Sequence, residues 1–283
     1  MKTKIGMIGI GLMGHGIASN LLRHGHELAL MEHAGNQPLD ALKAAGAQSF
    51  GSAAEVAARS QVVILVLTGD GGVLSGLKPG SVVIDCSTAI PSSTLRMAQA
   101  VQSAGSAMLD APMTRTPKEA AEGRLNLLVG GAEALFNTWR PLLACFAENI
   151  THVGAVGAGH SMKLLHNYVS LGSVTLLAEA AACAQRGGVA AEVFVDVLAK
   201  GGGGGTALER LKPFLLAGDP SGLRFSIANA AKDLGYYQTM AADAGAQRAI
   251  AAAVLGTLES AVAQTDPGTL LPELSRVLSA GRA

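Results

Sequence analysis

The chain has 283 residues, more than one hydrophobic core usually organises, so two domains are expected. Basic and acidic residues balance at 21 each and form no long run of like charge, which argues against nucleic acid or an anionic membrane as a partner. Aromatic residues make up 4% of the chain, so small aliphatic residues must supply most of the core.

Cysteine usage and the apolar segments bear on where the protein works. Cys86, Cys145 and Cys183 are odd in number, far apart and set in apolar stretches, which indicates reduced, buried thiols. Glycines interrupt the apolar run from Ile5 to Met13 and no cleavage-like A-x-A follows it, so a secretory signal is not expected. The most apolar later stretch contains a glutamate and is too short to span a membrane. A soluble, cytoplasmic protein is predicted.

The first half of the chain alternates β-branched runs with helical patterns. Two of the runs, 61–67 and 81–85, are continuously apolar, as expected for strands buried on both faces of a sheet. This alternation predicts an α/β, Rossmann-like, doubly wound parallel sheet. The predicted strands are 4–8, 27–32, 61–67, 81–85, 107–110 and 125–129, and the predicted helices are 12–24, 91–103 and 132–146.

The pattern changes after His152. Residues 153–159 are glycine-rich and are interpreted as a flexible joint, and only helical periodicity follows, broken by glycine pairs and prolines. The pattern from His160 to Arg186 predicts one long helix. The predicted domains are therefore 1–156, which holds the sheet, and 157–283, an all-helical (all-α) domain that begins with a long interdomain helix.

The strongest motif lies at the end of the first predicted strand. Gly9, Gly11 and Gly14 spell G-x-G-x-x-G, and Leu12 and Met13 open the helix that follows. Such glycines permit a tight turn, close approach of a pyrophosphate to the backbone, and packing of the helix against the strand. Because the motif follows a strand, opens a helix and precedes an acidic strand end, dinucleotide binding is favoured over a structural glycine turn.

The acidic residue at the end of the second predicted strand is Glu32. A carboxylate there would accept hydrogen bonds from the ribose hydroxyls of NAD and repel the additional phosphate of NADP. NAD is therefore the preferred cofactor, with NADP still allowed. An ordinary solvated strand end is the alternative interpretation of Glu32.

Two further predicted strand ends should border the same crevice, because ligands bind at the carboxyl ends of parallel strands. They supply Leu67 and Thr68, and Ser87 and Thr88. Contacts of Leu67, Thr68 and Thr88 with the cofactor are predicted. For Ser87 and Thr88, capping of the helix that follows is an equally good interpretation on spacing alone.

A nicotinamide enzyme that acts on an alcohol needs a group that exchanges the hydroxyl proton. Lys163 and Asn167 are four residues apart, so they project from one face of the predicted long helix. Burial of a lysine in this apolar, small-residue segment would disfavour its charge and suit it to proton exchange. An exposed lysine is the ordinary alternative, and His160 and His166 compete as acid–base groups.

Four motifs occur along the chain in an order typical of one enzyme family. They are the turn at Gly9–Gly14, Asp110-Ala111-Pro112, the segment from Lys163 to Asn167, and Phe225 followed by Lys232-Asp233-Leu234. Together they resemble the β-hydroxyacid dehydrogenase family, in its 3-hydroxyisobutyrate dehydrogenase-like form. The resemblance covers nearly the whole chain.

The resemblance implies a role for three residues and an assembly. Lys163 would be the catalytic acid–base group, and Asn167 would hold the substrate. Lys232 would contact the cofactor or the substrate from the helical domain. The resemblance further implies a homodimer or homotetramer formed through that domain.

The turn after Asp110-Ala111-Pro112 departs from the family, which usually has a small apolar residue and then Ser-Gly-Gly. This chain has Met113, Thr114, Arg115 and Thr116. An arginine presents a planar charged fork suited to carboxylate, sulfonate or phosphate, and the turn resembles that of sulfolactaldehyde reductases, which bind a sulfonate. Thr114, Arg115 and Thr116 are therefore predicted to bind the acidic group of a small anionic substrate. A solvated loop residue is the alternative for Arg115.

Two more departures accompany this one. His166 stands where the family usually has a first asparagine, which changes the wall of the expected pocket. The link from Thr68 to Gly80 is shorter than the helix and loop that the family has there.

The predicted function is hydride transfer between NAD(P) and a small β-hydroxy acid or its semialdehyde, either 3-hydroxyisobutyrate-like or sulfolactaldehyde-like. No metal site is predicted. The alternatives are a non-catalytic dinucleotide-binding sensor and an imine reductase. Lys163 counts against both, because relatives of those kinds have lost or replaced this lysine.

Overall fold

A computed structural model describes residues 2–66 and 72–280 of the chain. The chain divides into two compact units, Met1–Lys163 and Leu164–Ala283. The predicted domain boundary, after residue 156, lies seven residues before the end of the first unit at Lys163. The reason is that the first turns of the following helix belong to the first unit.

Within the described residues of the first unit, nine strands form one sheet. Six of them are parallel, in the order β3-β2-β1-β4-β5-β6, which is the strand order of a dinucleotide-binding Rossmann sheet. The strands are β1 Lys4–Ile8, β2 Glu27–Met31, β3 Gln48–Phe50, β4 Val62–Leu65, β5 Val82–Asp85, β6 Ala107–Asp110, β7 Met113–Thr114, β8 Leu125–Gly130 and β9 Ala147–Gly154. The predicted fold class is confirmed for this part of the sheet.

Helices connect the strands and cover both faces of the sheet. Residues 62–65 and 82–85 are buried along their whole length, as their continuous apolar pattern predicts. The helices of this unit are α1 Leu12–Arg23, α2 Asp40–Ala44, α3 Ala53–Ala58, α4 Pro91–Ser103, α5 Pro117–Glu122 and α6 Glu133–Leu143, with a short 3₁₀ turn at Val73–Gly76. The strand predicted to end at Leu67 is described as far as Leu65, and Leu67 lies outside the described residues.

The sheet departs from an all-parallel arrangement at β8, which runs antiparallel to β6 and β7. The residues between Thr114 and Leu125 are too few for the crossover that a parallel pair needs. Asp110 pairs with Gly130 and Thr114 pairs with Asn126 in one continuous register. The segment 111–114, called the overhang below, therefore continues past the end of β6 for about 13 Å at the rise of an extended strand.

The glycine-rich joint predicted at 153–159 is wrong in its first part, because Val153 and Gly154 are the last residues of β9. Residues 155–157 form a turn, and residues 158 and 159 already belong to the helix that follows. Gly157 has a left-handed backbone with φ +92°, and its N–H donates to Oδ1 of Asp110 at 2.7 Å. At Gly159 a Cβ atom would lie 2.6 Å from the backbone oxygen of Asp110, so a side chain there would collide with the sheet.

The second unit is helical, as predicted, and its core is built from aliphatic side chains, chiefly leucine and alanine. The long helix α7, Ala158–Arg186, begins in the first unit and continues into the second. Helices α8 Ala191–Lys200, α9 Thr206–Ala217, α10 Ile227–Asp243, α11 Ala249–Val262 and α12 Leu274–Ala280 follow, with 3₁₀ turns at Pro220–Leu223 and Leu271–Glu273. One buried cluster of this unit contains Leu171, Val174, Ala178, Leu211, Ile227, Ala230, Leu234, Leu258, Ala261, Leu271 and Leu274.

The cysteines are unpaired, but they are not uniformly buried. Cys86 is buried, Cys145 is half-buried and Cys183 is exposed on α7, so the prediction of three buried thiols is wrong for Cys183. Desolvation, followed by the nearby Asp85 carboxylate, strongly raises the pKa of the Cys86 thiol. Among the helices of the described residues, none has the length and apolar character needed to cross a bilayer.

Candidate active site

The glycine turn after β1 has the geometry that its motif predicts. Gly9 has a left-handed backbone with φ +94°. A Cβ atom on Gly14 would collide with the carbonyl oxygen of Gly9, so close packing of α1 against the turn requires glycine. A Cβ atom on Gly11, in contrast, would meet no atom of the described residues within 4 Å. The turn is therefore open on the side from which a ligand would approach the backbone.

The start of α1 completes this cradle. Among the described residues no side chain caps the helix at Gly11, and its first turn contains no acidic residue. Its backbone N–H groups can therefore attract an anion. Asn36 holds the turn in place, because its Oδ1 accepts the N–H of Ile10 at 3.3 Å and its Nδ2 donates to the oxygen of Met31 at 2.8 Å. These residues fit the pyrophosphate of a dinucleotide.

The other two residues of the motif lie at the opening of the helix. Leu12 is 65% exposed, whereas Met13 is half-buried and packs against the core of the sheet. An apolar side chain left this exposed beside the cradle is available to a bound dinucleotide, and its contact with one stays a prediction.

Glu32 follows β2 and is exposed at the rim of an open cavity of about 480 Å³. Its Oε1 accepts hydrogen bonds from Lys43 at 2.5 Å and from Ser49 at 2.8 Å. These bonds, with that from Lys43 the larger cause, hold the pKa of Glu32 below its ordinary value. The carboxylate is thus held ionised and in a fixed orientation, and its contact with a ribose stays a prediction.

The two later strand ends are described only in part. Leu67 and Thr68 lie outside the described residues. Thr88 is half-buried after β5. The alternative that Ser87 or Thr88 caps the next helix is wrong, because the capping position of α4 is Ile90, which makes no side-chain hydrogen bond there.

Asp110 anchors the start of α7 at the carboxyl end of β6. Its Oδ1 accepts the N–H of Gly157 at 2.7 Å, and its Oδ2 accepts the N–H of His160 at 2.8 Å. Lys163 follows one turn later and is half-buried. The ring of His160 is fully buried, which does not favour it as the alternative acid–base group.

At the end of β7 and in the turn that follows it, two hydroxyl groups already form hydrogen bonds. Oγ1 of Thr114 accepts a hydrogen bond from Nδ2 of Asn126 at 3.1 Å. Thr116 caps α5, where it forms a reciprocal capping box with Glu119. The hydrogen bond from the Thr116 side chain is the largest cause that lowers the pKa of Glu119. Thr116 therefore has a structural role, and its contact with a substrate stays a prediction.

Arg115 is the one non-glycine residue of the described chain with a left-handed backbone, at φ +81°. Its guanidinium donates to a carboxylate oxygen of Glu148 and to the backbone oxygen of Arg124. The bond from Arg115 is the largest cause that holds the pKa of Glu148 below its ordinary value. Because 27% of the Arg115 side chain remains accessible, the turn keeps an accessible positive group although it is paired.

The second unit holds Asn167 in a buried polar pair. Nδ2 of Asn167 donates to Oδ2 of Asp233 at 2.6 Å, and Oδ1 of Asn167 lies 3.0 Å from Nδ1 of His166. Nζ of Lys232 is 3.3 Å from the other oxygen of Asp233 and 5.7 Å from the centre of the Tyr236 ring. The amide of Asn167 is thus fixed in orientation, whereas the Lys232 side chain is 39% exposed.

Three acidic residues that matter here were missed or given no role from the sequence. Glu148 and Asp233 are partners of predicted site residues, and Asp110 anchors the helix of Lys163. The signal for Asp110 and Asp233 was their place within motifs. Glu148 has no such signal, because it is an exposed residue of β9 outside any motif and only the fold brings it to Arg115.

Comparison with known proteins agrees with this geometry. The family model for the NAD binding domain of 6-phosphogluconate dehydrogenase matches residues 4–154, and the model for the NAD-binding domain of NADP-dependent 3-hydroxyisobutyrate dehydrogenase matches residues 157–273. The chain is 35% identical to 2-(hydroxymethyl)glutarate dehydrogenase of Eubacterium barkeri, over 83% of this chain and 81% of that protein. It is 33% identical to NAD-dependent L-serine dehydrogenase of Pseudomonas aeruginosa, over 84% of this chain and 85% of that protein.

A solved structure shows the same relationship. The chain is similar to 3-hydroxyisobutyrate dehydrogenase of Mycobacterium tuberculosis, solved with L-serine, with a TM-score of 0.87, 28% identity, and coverage of 98% and 99% of the two chains. The fold and the glycine turn define a nicotinamide-dependent oxidoreductase that acts on CH–OH groups of hydroxy acids. The chain belongs to the β-hydroxyacid dehydrogenase family.

Proposed function

We propose that Lys163 is the general acid–base in the reversible oxidation of a small β-hydroxy acid to its semialdehyde. The observation that carries this is the anchoring of α7 by Asp110, which binds the N–H groups of Gly157 and His160 at the carboxyl end of β6. Parallel sheets bind their ligands at this edge, and the Gly9–Gly14 turn follows β1 at the same edge. A half-buried lysine one turn into that helix is suited to meet the reacting hydroxyl.

The residues of the first unit divide the work. When bound, the nicotinamide cofactor would supply the hydride acceptor for oxidation and the hydride donor for reduction. The open face of Gly11 and the uncapped start of α1 bind the pyrophosphate. Lys163 takes the proton from the hydroxyl during oxidation and gives it back to the carbonyl oxygen during reduction. Thr88 borders the same edge as a cofactor contact.

In the second unit, Asn167 is proposed to bind the substrate and Lys232 to contact the cofactor or the substrate. The pair with Asp233 fixes the Asn167 amide, which supports its use as a substrate ligand of defined orientation. Lys232 keeps an exposed ammonium beside Asp233 and Tyr236, which supports a contact with an anionic cofactor or substrate.

The substrate class is a small hydroxy acid with an acidic group, 3-hydroxyisobutyrate-like or sulfolactaldehyde-like. Thr114, Arg115 and Thr116 form the turn to which that group binds. The accessible part of the Arg115 guanidinium supports this, although Glu148 competes for it. Relatives named for 2-(hydroxymethyl)glutarate and L-serine support a hydroxymethyl group beside a carboxylate.

The cofactor preference follows from Glu32. Its ionised carboxylate favours the ribose hydroxyls of NAD and disfavours the phosphate of NADP. Lys43, which pairs with the same carboxylate, reduces the repulsion and leaves NADP allowed. The name of the L-serine dehydrogenase relative supports NAD as well.

The protein is further proposed to form a homodimer or homotetramer through the helical unit and to work in the cytoplasm. Leu165, Val169 and Leu176 share one face of α7, and the latter two are 65% and 69% exposed, which supports an apolar interface there. Light scattering of the purified protein measures the assembly, and a monomer contradicts it. Three unpaired cysteines support a reducing compartment, which cell fractionation tests.

The acid–base role is tested by Lys163→Ala. We expect kcat to fall about 100–10,000-fold while the Kd for NADH stays within about twofold of the wild-type value, because the change removes a proton-transfer group and no cofactor contact. Lys200→Ala is the matched control, since that side chain is 75% exposed and pairs only with Asp196 among the described residues. Turnover by Lys163→Ala near the wild-type rate, on the best substrate found in a panel of hydroxy acids, would contradict the role.

A further inference from the structure

A buried polar cluster lies where β5 and β6 end. Asp85 and Asp110 are the last residues of these neighbouring strands and stand opposite each other in register. His160, from the first turn of α7, is fully buried beside them. Its Nε2 is 4.0 Å from Oδ2 of Asp85, and its Nδ1 is 3.8 Å from Oδ2 of Asp110. One imidazole ring therefore faces two carboxyl groups.

Among the described residues, hydrogen bonds engage most polar atoms of the cluster but not Nε2 of the His160 ring. Nδ1 of His160 is 2.7 Å from Oγ1 of Thr94, and Asp110 accepts a backbone N–H at each of its oxygens. Oδ1 of Asp85 accepts the backbone N–H of Ser87 at 2.9 Å. In the part of the chain that the structure describes, Nε2 of His160 has no hydrogen-bond partner, and it faces the second oxygen of Asp85. At 4.0 Å this ring nitrogen is too far from the carboxyl oxygen for a hydrogen bond, but in a buried site the two still interact electrostatically.

The cluster has little room in which to shift. A Cβ atom on Gly130 would lie 2.5 Å from Oδ1 of Asp110 and 2.8 Å from the nitrogen of Gly159. Interiors packed this closely transmit a displacement to their neighbours. A change at the ring of His160 would therefore move the first turn of α7.

Lys163 follows His160 by three residues, which places it about 4.5 Å further along the helix axis and on the same side. We propose that His160 is a positioning residue for Lys163. Its ring ties the first turn of α7 to the carboxyl groups that end β5 and β6, and so sets where the Lys163 ammonium lies. This inference rests on the acid–base role proposed for Lys163. A misplacement of about 1 Å can lower turnover about 100-fold.

Two substitutions of the ring test the inference. His160→Leu removes both ring nitrogens, and we expect kcat to fall about 10–100-fold with the Kd for NADH within about twofold of wild type. His160→Asn keeps an N–H donor near the position of Nδ1 and should recover part of the loss. The inflection of the kcat–pH profile, which reports the acid–base group, should move in His160→Leu.

His152→Asn is the matched control, because it removes another imidazole of the first unit, one whose Nε2 lies 2.8 Å from the oxygen of Gly131. It should leave kcat and the pH profile as in the wild type. Thr94→Val removes the hydroxyl beside Nδ1 at nearly constant shape and should lower kcat about three- to tenfold. It carries the test together with His160→Asn if His160→Leu does not fold.

The outcomes separate this inference from the proposed function. If Lys163→Ala is inactive while the folded variants of His160 and Thr94 all keep the wild-type kcat and pH profile, the positioning role is overturned and the acid–base role stands. If Lys163→Ala keeps turnover, the proposed function fails and the positioning role falls with it. A loss of thermal stability in His160→Leu with an unchanged kcat also overturns the inference, because it shows a purely structural ring.

Discussion

The chain turns sharply after β1 and again after β7, and both turns contain a residue with left-handed backbone conformation. After β1 that residue is Gly9, with φ +94°, and after β7 it is Arg115, with φ +81°. Glycine adopts this conformation without a steric penalty, whereas another residue is destabilised by about 1–2 kcal/mol. The two turns therefore meet the same backbone demand in different ways.

The reason for the difference lies in what each turn leaves accessible. The turn after β1 leaves the backbone open at Gly11, as the proposed binding of a pyrophosphate requires. The turn after β7 exposes part of a guanidinium, and the contacts of Arg115 with Glu148 and the oxygen of Arg124 hold its backbone in the unfavourable region. A strained residue kept by its own side-chain contacts is a feature of functional sites.

The largest expected effect concerns the first turn. Gly14→Ala places a Cβ atom against the carbonyl oxygen of Gly9, and overpacking of this kind costs about 1–3 kcal/mol. If the turn moves to relieve it, NADH binding weakens about 10–100-fold. Gly11→Ala is the matched control for folding, because its Cβ meets no described atom, so it should keep the thermal stability and lose cofactor affinity. Wild-type affinity in Gly11→Ala, measured by titration calorimetry, would show that the pyrophosphate lies elsewhere.

The next effect concerns the second turn. Arg115→Ala removes a charged hydrogen-bond donor, so the KM for an acidic substrate should rise about tenfold or more while kcat changes little. Glu148→Gln removes the competing carboxylate charge and should lower that KM a few-fold, by about the strength of one exposed ion pair. Steady-state kinetics on the same substrate measure both. An unchanged KM in Arg115→Ala excludes this residue from substrate binding.

The preference for NAD over NADP tests the role proposed for Glu32. Glu32→Ser removes the carboxylate and releases Lys43, so the ratio of kcat/KM for NADP to that for NAD should rise about tenfold. Glu27→Ser, at the other end of β2, is the control, because Glu27 is exposed and pairs with Lys2. Equal ratios in the two variants would mean that Glu32 is only a solvated strand end.

The smallest effect tests the backbone comparison itself. Both Arg115→Gly and Arg115→Ala lose the side-chain contacts, but only glycine relieves the left-handed strain, so Arg115→Gly should be more stable than Arg115→Ala by about 1 kcal/mol. The order should reverse at Lys118 in α5, where glycine is less stable than alanine in a helix by about 0.5–1 kcal/mol. Urea unfolding measures both pairs. If the same variant, glycine or alanine, is the more stable at both positions, backbone strain at Arg115 is contradicted.

Local patterns made much of the first unit predictable. Continuously apolar runs such as 62–65 predict strands, because a strand that is covered on both faces has apolar residues throughout. The spacing of Gly9, Gly11 and Gly14 predicts the turn, because those positions require glycine for backbone geometry or close approach. The bounds of α4 and β6 agree with prediction for the same reason. Short elements such as β3 and the antiparallel β8 were missed or misassigned, because their pairing depends on neighbours far away in the chain.

The partners of the site residues were the least predictable part. Glu148 meets Arg115 across 33 residues, and Asn167 meets Asp233 across 66. No periodicity encodes such a pairing, because either carboxylate could equally be solvated at its position in the sequence. Asn167 and Asp233 each lie in a motif that says nothing of their pairing, and Glu148 lies in none, so only the fold identifies each partner.

The overhang, residues 111–114, has a consequence for how this enzyme could change its substrate. It lifts the turn at Arg115 beyond the carboxyl edge of β5 along an antiparallel ladder with residues 126–129. Because side chains alternate with a period of two, inserting two residues in each of these segments would raise the turn by about 7 Å and keep every side chain on its own face. Strands β1 to β5 and the glycine turn would stay as they are. The height of the turn that is proposed to bind the substrate is thus adjustable in steps of two residues, independently of strands β1 to β5.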